Sequence, residues 1–319
     1  MISATETFRD WMPVRFYHQG TRPFVDWCHM DDVRFMHPFF ADTIRQRMRE
    51  PFNQIFRHQT PIEFLDEIID GSDVIAPTGF IFHMSRCGST LVAQMLASVS
   101  ANIVISEAPP IDSIVREHRA DWLRSMIAAF GRRRFPEERN FFIKFDCWNT
   151  IDLQFIKDVF PDVPWIFLYR NPVEVIVSHM RQRGSQMVPG AMEKLIPELS
   201  FSEAMKIPAE EYCAKILSRI CESALAFADD DRGLLINYEG LPDAVTGSIA
   251  RHFGSDFSSK EVNQMNDAAR FDAKTPRLNF EPDTQRKQIE ASDAAHDAAA
   301  NWVLPVYEKL ESTRSKVLV

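Results

Sequence analysis

The segment Arg86-Cys87-Gly88-Ser89-Thr90 joins an apolar run, TGFIFHM, to a helical pattern in which Leu91, Met95 and Val99 recur at four-residue spacing. A loop that enters a helix N-terminus offers unpaired backbone N–H groups and the positive end of the helix dipole, so it suits an anion. Gly88 lets the backbone approach an oxyanion closely, Arg86 adds fixed charge, and Ser89 and Thr90 add hydroxyl donors. Taken alone, the same residues also describe an ordinary strand–helix turn. The nucleotide-triphosphate loop GxxxxGK[ST] does not fit: with Gly88 as its second glycine, His83 stands at the first glycine and Ser89 at the lysine.

A second group lies in YRNPVEVIVSHMRQR, residues 169–183. Arg170 closes an apolar run, and Ser178 follows two helical turns later, so a guanidinium and a hydroxyl can meet on one phosphate. An arginine ion pair and a buried helix serine explain this segment equally well when it stands alone. Two carboxylates, Glu107 and Asp146, also end apolar runs, with Lys144 two residues before Asp146. His83 reads as a hydrogen-bonded core residue. His179 is turned about 100° from Ser178 on a helix and reads as structural too.

The elements that must position these groups alternate. Strand candidates are TGFIFHM (78–84), NIVIS (102–106), FFIKF (141–145), PWIFLY (164–169) and GLLIN (233–237). Helical patterns separate them. One is signalled by Ile151, Phe155 and Val159, and another is opened by Asn171 as cap, Pro172 at the first position and Glu174 at the third. The expected fold is α/β: a P-loop-type three-layer α/β/α arrangement with a mainly parallel central sheet of about five strands. Ligands of such sheets bind beyond the carboxyl ends of the strands, which puts Arg86, Glu107, Asp146 and Arg170 on one edge.

Residues 1–70 are rich in aromatics and imidazoles and show no clean periodicity before FFADTIRQRMR. They are expected to form a mostly helical or irregular extension that packs on the core and walls an acceptor site, with GSDVIAP (71–77) as the joint to a domain spanning 71–319. The 319 residues carry a net charge of -9, which argues against general nucleic-acid binding, and no apolar run is long enough for a membrane span. Five scattered cysteines lack any CxxC or Cys/His ligand spacing, and the first residues lack an apolar targeting core. A cytoplasmic protein without a disulfide framework or zinc site is expected.

Together the two segments resemble the sulfotransferase superfamily that uses 3′-phosphoadenosine 5′-phosphosulfate (PAPS). In that family a loop of the form [KR]-x-G-[ST]-[ST] holds the 5′-phosphosulfate, and an arginine followed eight positions later by a serine holds the 3′-phosphate. Arg86-Cys87-Gly88-Ser89-Thr90, with Leu91 behind it, matches the first, and Arg170 with Ser178 matches the second. The arginine form of the loop is closest to the Golgi and tyrosylprotein branch and to related bacterial enzymes. The resemblance covers roughly residues 78–255. It implies that Tyr238 of NYEGL lies near the cofactor, and a looser match of AKTPRLNFEPDTQRKQ to the family's cofactor-closing loop adds Lys274, Arg277 and Lys287.

The resemblance further implies sulfuryl transfer from PAPS to a hydroxyl or amine by in-line displacement, with a carboxylate general base and no required metal. Glu107 stands 21 residues after Arg86, the offset of the catalytic glutamate in the tyrosylprotein branch. Asp146 stands where the cytosolic branch has the histidine of Lys-x-His and is the second candidate. Arg86 and Lys144 are expected to stabilise charge on the leaving phosphate. Two other readings stay open: an ATP-dependent P-loop kinase, for which FFIKFD resembles a Walker B strand, and a non-catalytic nucleotide-binding protein. The acceptor, a small molecule or a peptide, is set by residues 1–70, 107–140 and 184–212. Oligomeric state stays open, with a homodimer among the options.

Overall fold

The structure is a computed structural model and describes residues 4–192, 195–275 and 277–317; positions 193 and 194 of the expected acceptor segment and the extreme ends of the chain lie outside these. Two sheets are present among the described residues. The N-terminal one joins β1 (Trp11–Gln19), β2 (Arg22–His29) and β3 (His58–Pro61) in the order β1-β2-β3, antiparallel throughout. The second contains β4 (Gly79–His83), β5 (Asn102–Ser106), β6 (Asn140–Lys144), β7 (Trp165–Tyr169) and β8 (Gly233–Asn237) in the order β5-β6-β4-β7-β8, parallel throughout and flanked by helices.

The five parallel strands are those expected, within a residue or two at each end. Their near-continuous apolar character reflects burial on both faces: every residue of β4, β5 and β7 is buried. The chain leaves β4 toward β5 on one side and returns from β6 to β7 on the other. Strand order therefore reverses beside β4, and the crevice at such a reversal is where open parallel sheets bind ligands. The loop 84–88 opens there and runs into the helix Ser89–Ala97.

The extension adds to its helices and irregular stretches a three-stranded sheet that the sequence pattern did not announce. Its β1–β2 hairpin turns on Gly20-Thr21, with Gln19 paired to Arg22 and Gly20 at φ 62°, a left-handed value suited to glycine at the first turn position. The alternation that would have revealed the strands is blurred because Pro13 sits at an irregularity in the ladder and because β1 packs helices 109–117 and 120–130 behind it.

Arginine side chains pin the extension to the α/β body. Arg132, 3% exposed, donates to the carbonyls of Phe8 (2.8 Å), Ala129 (3.2 Å) and Trp11. Arg134 donates to the carbonyls of Val33 (3.0 Å) and Asp31, and Arg34 donates to the carbonyl of Ser100 at 2.7 Å. One hydrophobic cluster continues from Trp11, Val25 and Trp27 into the core of the parallel sheet. Burial drives the Arg132 pKa down to about 10, with Arg134 adding repulsion, yet the guanidinium stays charged at neutral pH. Replacing Arg132 by Met removes the donor and strands buried carbonyls, at a cost of about 3 kcal/mol. Urea unfolding of Arg132→Met should show that loss as a lower midpoint at unchanged slope.

Candidate active site

Gly88 caps the helix Ser89–Ala97 with φ 87°, and Ser85 (φ 83°) and Arg86 (φ 52°) are left-handed as well. For residues other than glycine this conformation costs of order 1–3 kcal/mol and is retained where the surroundings dictate it. Successive N–H groups in such a turn form a concave nest for an anion. A Cβ on Gly88 would stand 2.6 Å from Leu241 Cδ1 and 2.9 Å from Tyr238 Cδ2, so no side chain fits there. Cys87 points the other way: its buried thiol donates to the carbonyl of Leu168 at 3.1 Å, leaving only its backbone facing the nest.

A cavity of about 420 Å³ opens over this loop. It is lined by Arg86, Cys87, Gly88, Ser89, Thr90, Leu91, Glu107, Asp146, Arg170, Ser178, Tyr238, Lys274 and Lys287 among the expected residues. The tertiary fold thus gathers groups from Arg86 to Lys287, 201 positions apart in the chain. Lys144 does not line the cavity. Its side chain is wholly buried one layer below, paired with Glu107 and with Nζ 5.4 Å from the Phe39 ring centre.

Arg277 is not brought in either. Phe271 bridges to Asn279, the Leu278 N–H donates to the carbonyl of Thr275, and Arg277 is exposed and does not line the cavity. Lys274 and Lys287, on either side of it, do reach the lining.

Charge in the cavity is unevenly shared. Burial alone would raise the Glu107 pKa, but the Lys144 ammonium and the hydrogen bond from His83 outweigh it and hold the carboxyl well below the usual range. Glu107 itself has φ 52°, another left-handed residue at the site. Asp146 goes the other way: burial first, then repulsion from Glu107 and Asp112, pushes it toward its protonated form. Two neighbouring carboxyls are therefore driven apart, the pattern by which one site keeps an acceptor and a donor side by side.

Arg170 is buried and fully engaged. It donates to Glu174 (2.6 Å), to Asp283 Oδ1 (2.9 Å) and to Thr284 Oγ1 (3.1 Å), and its guanidinium lies 3.8 Å from the Tyr238 ring centre. The second Asp283 oxygen accepts from Lys287 Nζ at 2.8 Å. A carboxylate of the chain's own thus sits between Arg170 and Lys287. Arg86 is turned aside, donating to the carbonyl of Gln182 at 2.8 Å.

Reasoning from sequence missed Asp283 and Thr284, and with them the aromatic lining residues Phe39, Trp148, Phe271 and Phe280. The four-residue spacing of Asp283 and Lys287 was the available signal for the first pair. Nothing local marks the aromatics, which come from separate parts of the chain. Asp283 ties the segment 271–290 down by charge-assisted bonds worth about 1.5–3 kcal/mol each. Asp283→Asn should therefore make protease cleavage within 271–290 at least tenfold faster, read by mass spectrometry of timed digests.

No family model matches the chain, and no curated protein matches it. Among solved structures it is similar to a sulfotransferase from Alicyclobacillus acidocaldarius, at 16% identity over 76% of this chain and 97% of that one, with a TM-score of 0.46. It is similar also to the sulfotransferase domain of the Synechococcus PCC 7002 olefin synthase, at 18% identity over 75% and 94% of the two chains, with a TM-score of 0.42. A third similar structure is mouse sulfotransferase SULT7A1 complexed with PAP, at 13% identity over 75% and 93%, with a TM-score of 0.39.

Proposed function

We propose that the chain is a PAPS-dependent sulfotransferase acting on a hydroxyl or amine of a small-molecule or peptide acceptor. The observation that carries this reading is the pairing of two anion sites in one cavity: the left-handed nest at 85–88, and the Arg170–Lys287 clasp already closed on a carboxylate. A ligand with two separated anionic groups matches that pair. Bound PAPS would supply the sulfuryl group, its sulfur–oxygen bond to the 5′-phosphate breaking as the acceptor's bond to sulfur forms and 3′,5′-ADP is released.

In this reading the backbone N–H groups of the nest, Arg86, Ser89 and Thr90 hold the 5′ end. Arg170 and Ser178 hold the 3′-phosphate, which takes the place of Asp283, with Lys287 beside it, and Tyr238 lies against the guanidinium. Glu107 accepts the acceptor's proton: it is ionised at rest, whereas the environment of Asp146 favours the protonated form. Phe39, the extension's contribution to the lining, puts an apolar surface near Lys144 on the acceptor's side.

Calorimetry should show 3′,5′-ADP binding without metal and more tightly than ADP with magnesium; preference for magnesium–ADP would overturn the reading. Glu107→Gln should cut transfer from labelled PAPS by about 10²-fold or more while leaving 3′,5′-ADP affinity nearly intact. If Asp146→Asn rather than Glu107→Gln abolishes turnover, the proton acceptor is Asp146.

Lys274 adds a pH dependence. Although the residue as a whole is exposed, desolvation of its ammonium against the cavity, and then repulsion from Arg86 and Lys144, brings its pKa down to about 8. A bound phosphate favours the charged form, so affinity is full below pH 8 and falls as pH rises through it. Titration calorimetry between pH 6.5 and 9.5 should show that fall in the wild type and a flattened profile in Lys274→Met.

A further inference from the structure

His83 is the last residue of β4 and 4% exposed, so its ring must find its hydrogen-bond partners inside the protein. Nδ1 accepts the backbone N–H of Ser85 at 3.1 Å. A nitrogen that accepts carries no proton, so the neutral ring bears its hydrogen on Nε2. The one hydrogen there is shared: its hydrogen bond goes to the carbonyl oxygen of Phe145 at 3.1 Å, with Glu107 Oε1 beside it at 3.4 Å. Burial, and then the charge of Lys144, keeps the imidazole neutral despite the carboxylate.

The two partners belong to different halves of the site. Ser85 is the first left-handed residue of the anion nest, and its backbone orientation sets where the following N–H groups point. Glu107 begins the chain after β5 and is left-handed too. We propose that His83 is a positioning residue that joins them: through Nδ1 it sets the anion nest, and through Nε2–H it aims the Glu107 carboxylate, so one ring holds the loop and the proton acceptor in register. Only imidazole among the side chains offers an acceptor and a donor on opposite flanks of one rigid plate. Asn and Gln carry both functions at a single end.

This inference rests on the role proposed for Glu107, and the two halves of the ring can be tested separately. The Asn carboxamide reaches roughly as far as Nδ1, and that of Gln roughly as far as Nε2. His83→Asn keeps an acceptor for Ser85 and loses the donor to Glu107. His83→Gln keeps a donor to Glu107 and loses the acceptor. Glu107 is also faced by Lys144 from β6, Arg86 from the nest, Asp146 after β6 and Lys274 from the segment 271–290, all unchanged in both variants.

In His83→Asn, 3′,5′-ADP affinity should stay within about threefold while kcat falls about tenfold, the equivalent of one lost hydrogen bond. The acid limb of its pH–rate profile should move to higher pH, because the ionised carboxylate has lost a donor. In His83→Gln, affinity should drop about tenfold with the acid limb in place. Parallel loss of affinity and kcat in both, with an unmoved limb, would reduce His83 to core packing. Nitrogen-15 spectra of the wild-type imidazole do not depend on the variants folding: they should show the Nε2–H form at neutral pH, with any titration displaced below that of a free imidazole, and Nδ1–H or an ordinary titration would overturn the proposal. If wild type binds no 3′,5′-ADP, the functional reading fails, while the ring's tautomer still reports on the geometry.

Discussion

A fully buried ammonium cannot be left alone, and Lys144 is one. Its side chain ends one layer beneath the cavity floor, where an unpaired charge would cost several kcal/mol. Glu107 neutralises it, and much of the site follows from that pairing. To reach Lys144 the backbone at Glu107 takes a left-handed turn at the end of β5. The carboxylate is then locked in its ionised form, its field disfavours a second negative charge on Asp146, and the ammonium disfavours a positive one on His83. Burial and this one ion pair together give three neighbouring titratable groups three distinct states.

The same rule operates at Arg170. This guanidinium is 4% exposed and holds two carboxylates, one supplied by its own helix at Glu174 and one supplied from far along the chain at Asp283. The first comes with the strand–helix turn and stays with it. The second belongs to a segment joined to the rest largely through polar contacts, among them Arg181 with Glu290 and Gln288 with Glu174. Buried charge here serves two ends: it fixes the frame through the short-range pair and holds the cover through the long-range one. The cover in turn brings Lys274 and Lys287 to the lining, so cations cluster over a cavity in a chain whose net charge is -9.

The parallel sheet was legible because each of its strands is an unbroken apolar run between turn residues, the pattern that burial on both faces demands. The carboxyl-end rule puts Arg86, Glu107, Asp146 and Arg170 on one edge, and all four line one cavity. The N-terminal sheet was not legible. Its strands mix aromatic, imidazole and charged residues, and their burial is set by helices packing against them and by Arg132 reaching the carbonyl of Trp11, none of which leaves a local period. Arg277 was misplaced because a basic residue in a loop carries no mark of which side of the turn it will occupy.

The sequence by itself determined the order of elements, the strand–loop–helix at 79–97, the cap at Asn171 and the edge on which the polar groups collect, because strand period, turn chemistry and helix start are local properties. Asn171 accepting from Val173 N–H at 3.0 Å is such a local outcome. Only the tertiary structure decided which charges meet. Lys144 is wholly buried rather than facing the cavity, Glu107 is ionised while Asp146 tends to stay protonated, and Asp283 rather than solvent covers Arg170. Those outcomes depend on distance and desolvation between residues 37 to 113 positions apart, and sequence spacing carries no information about either.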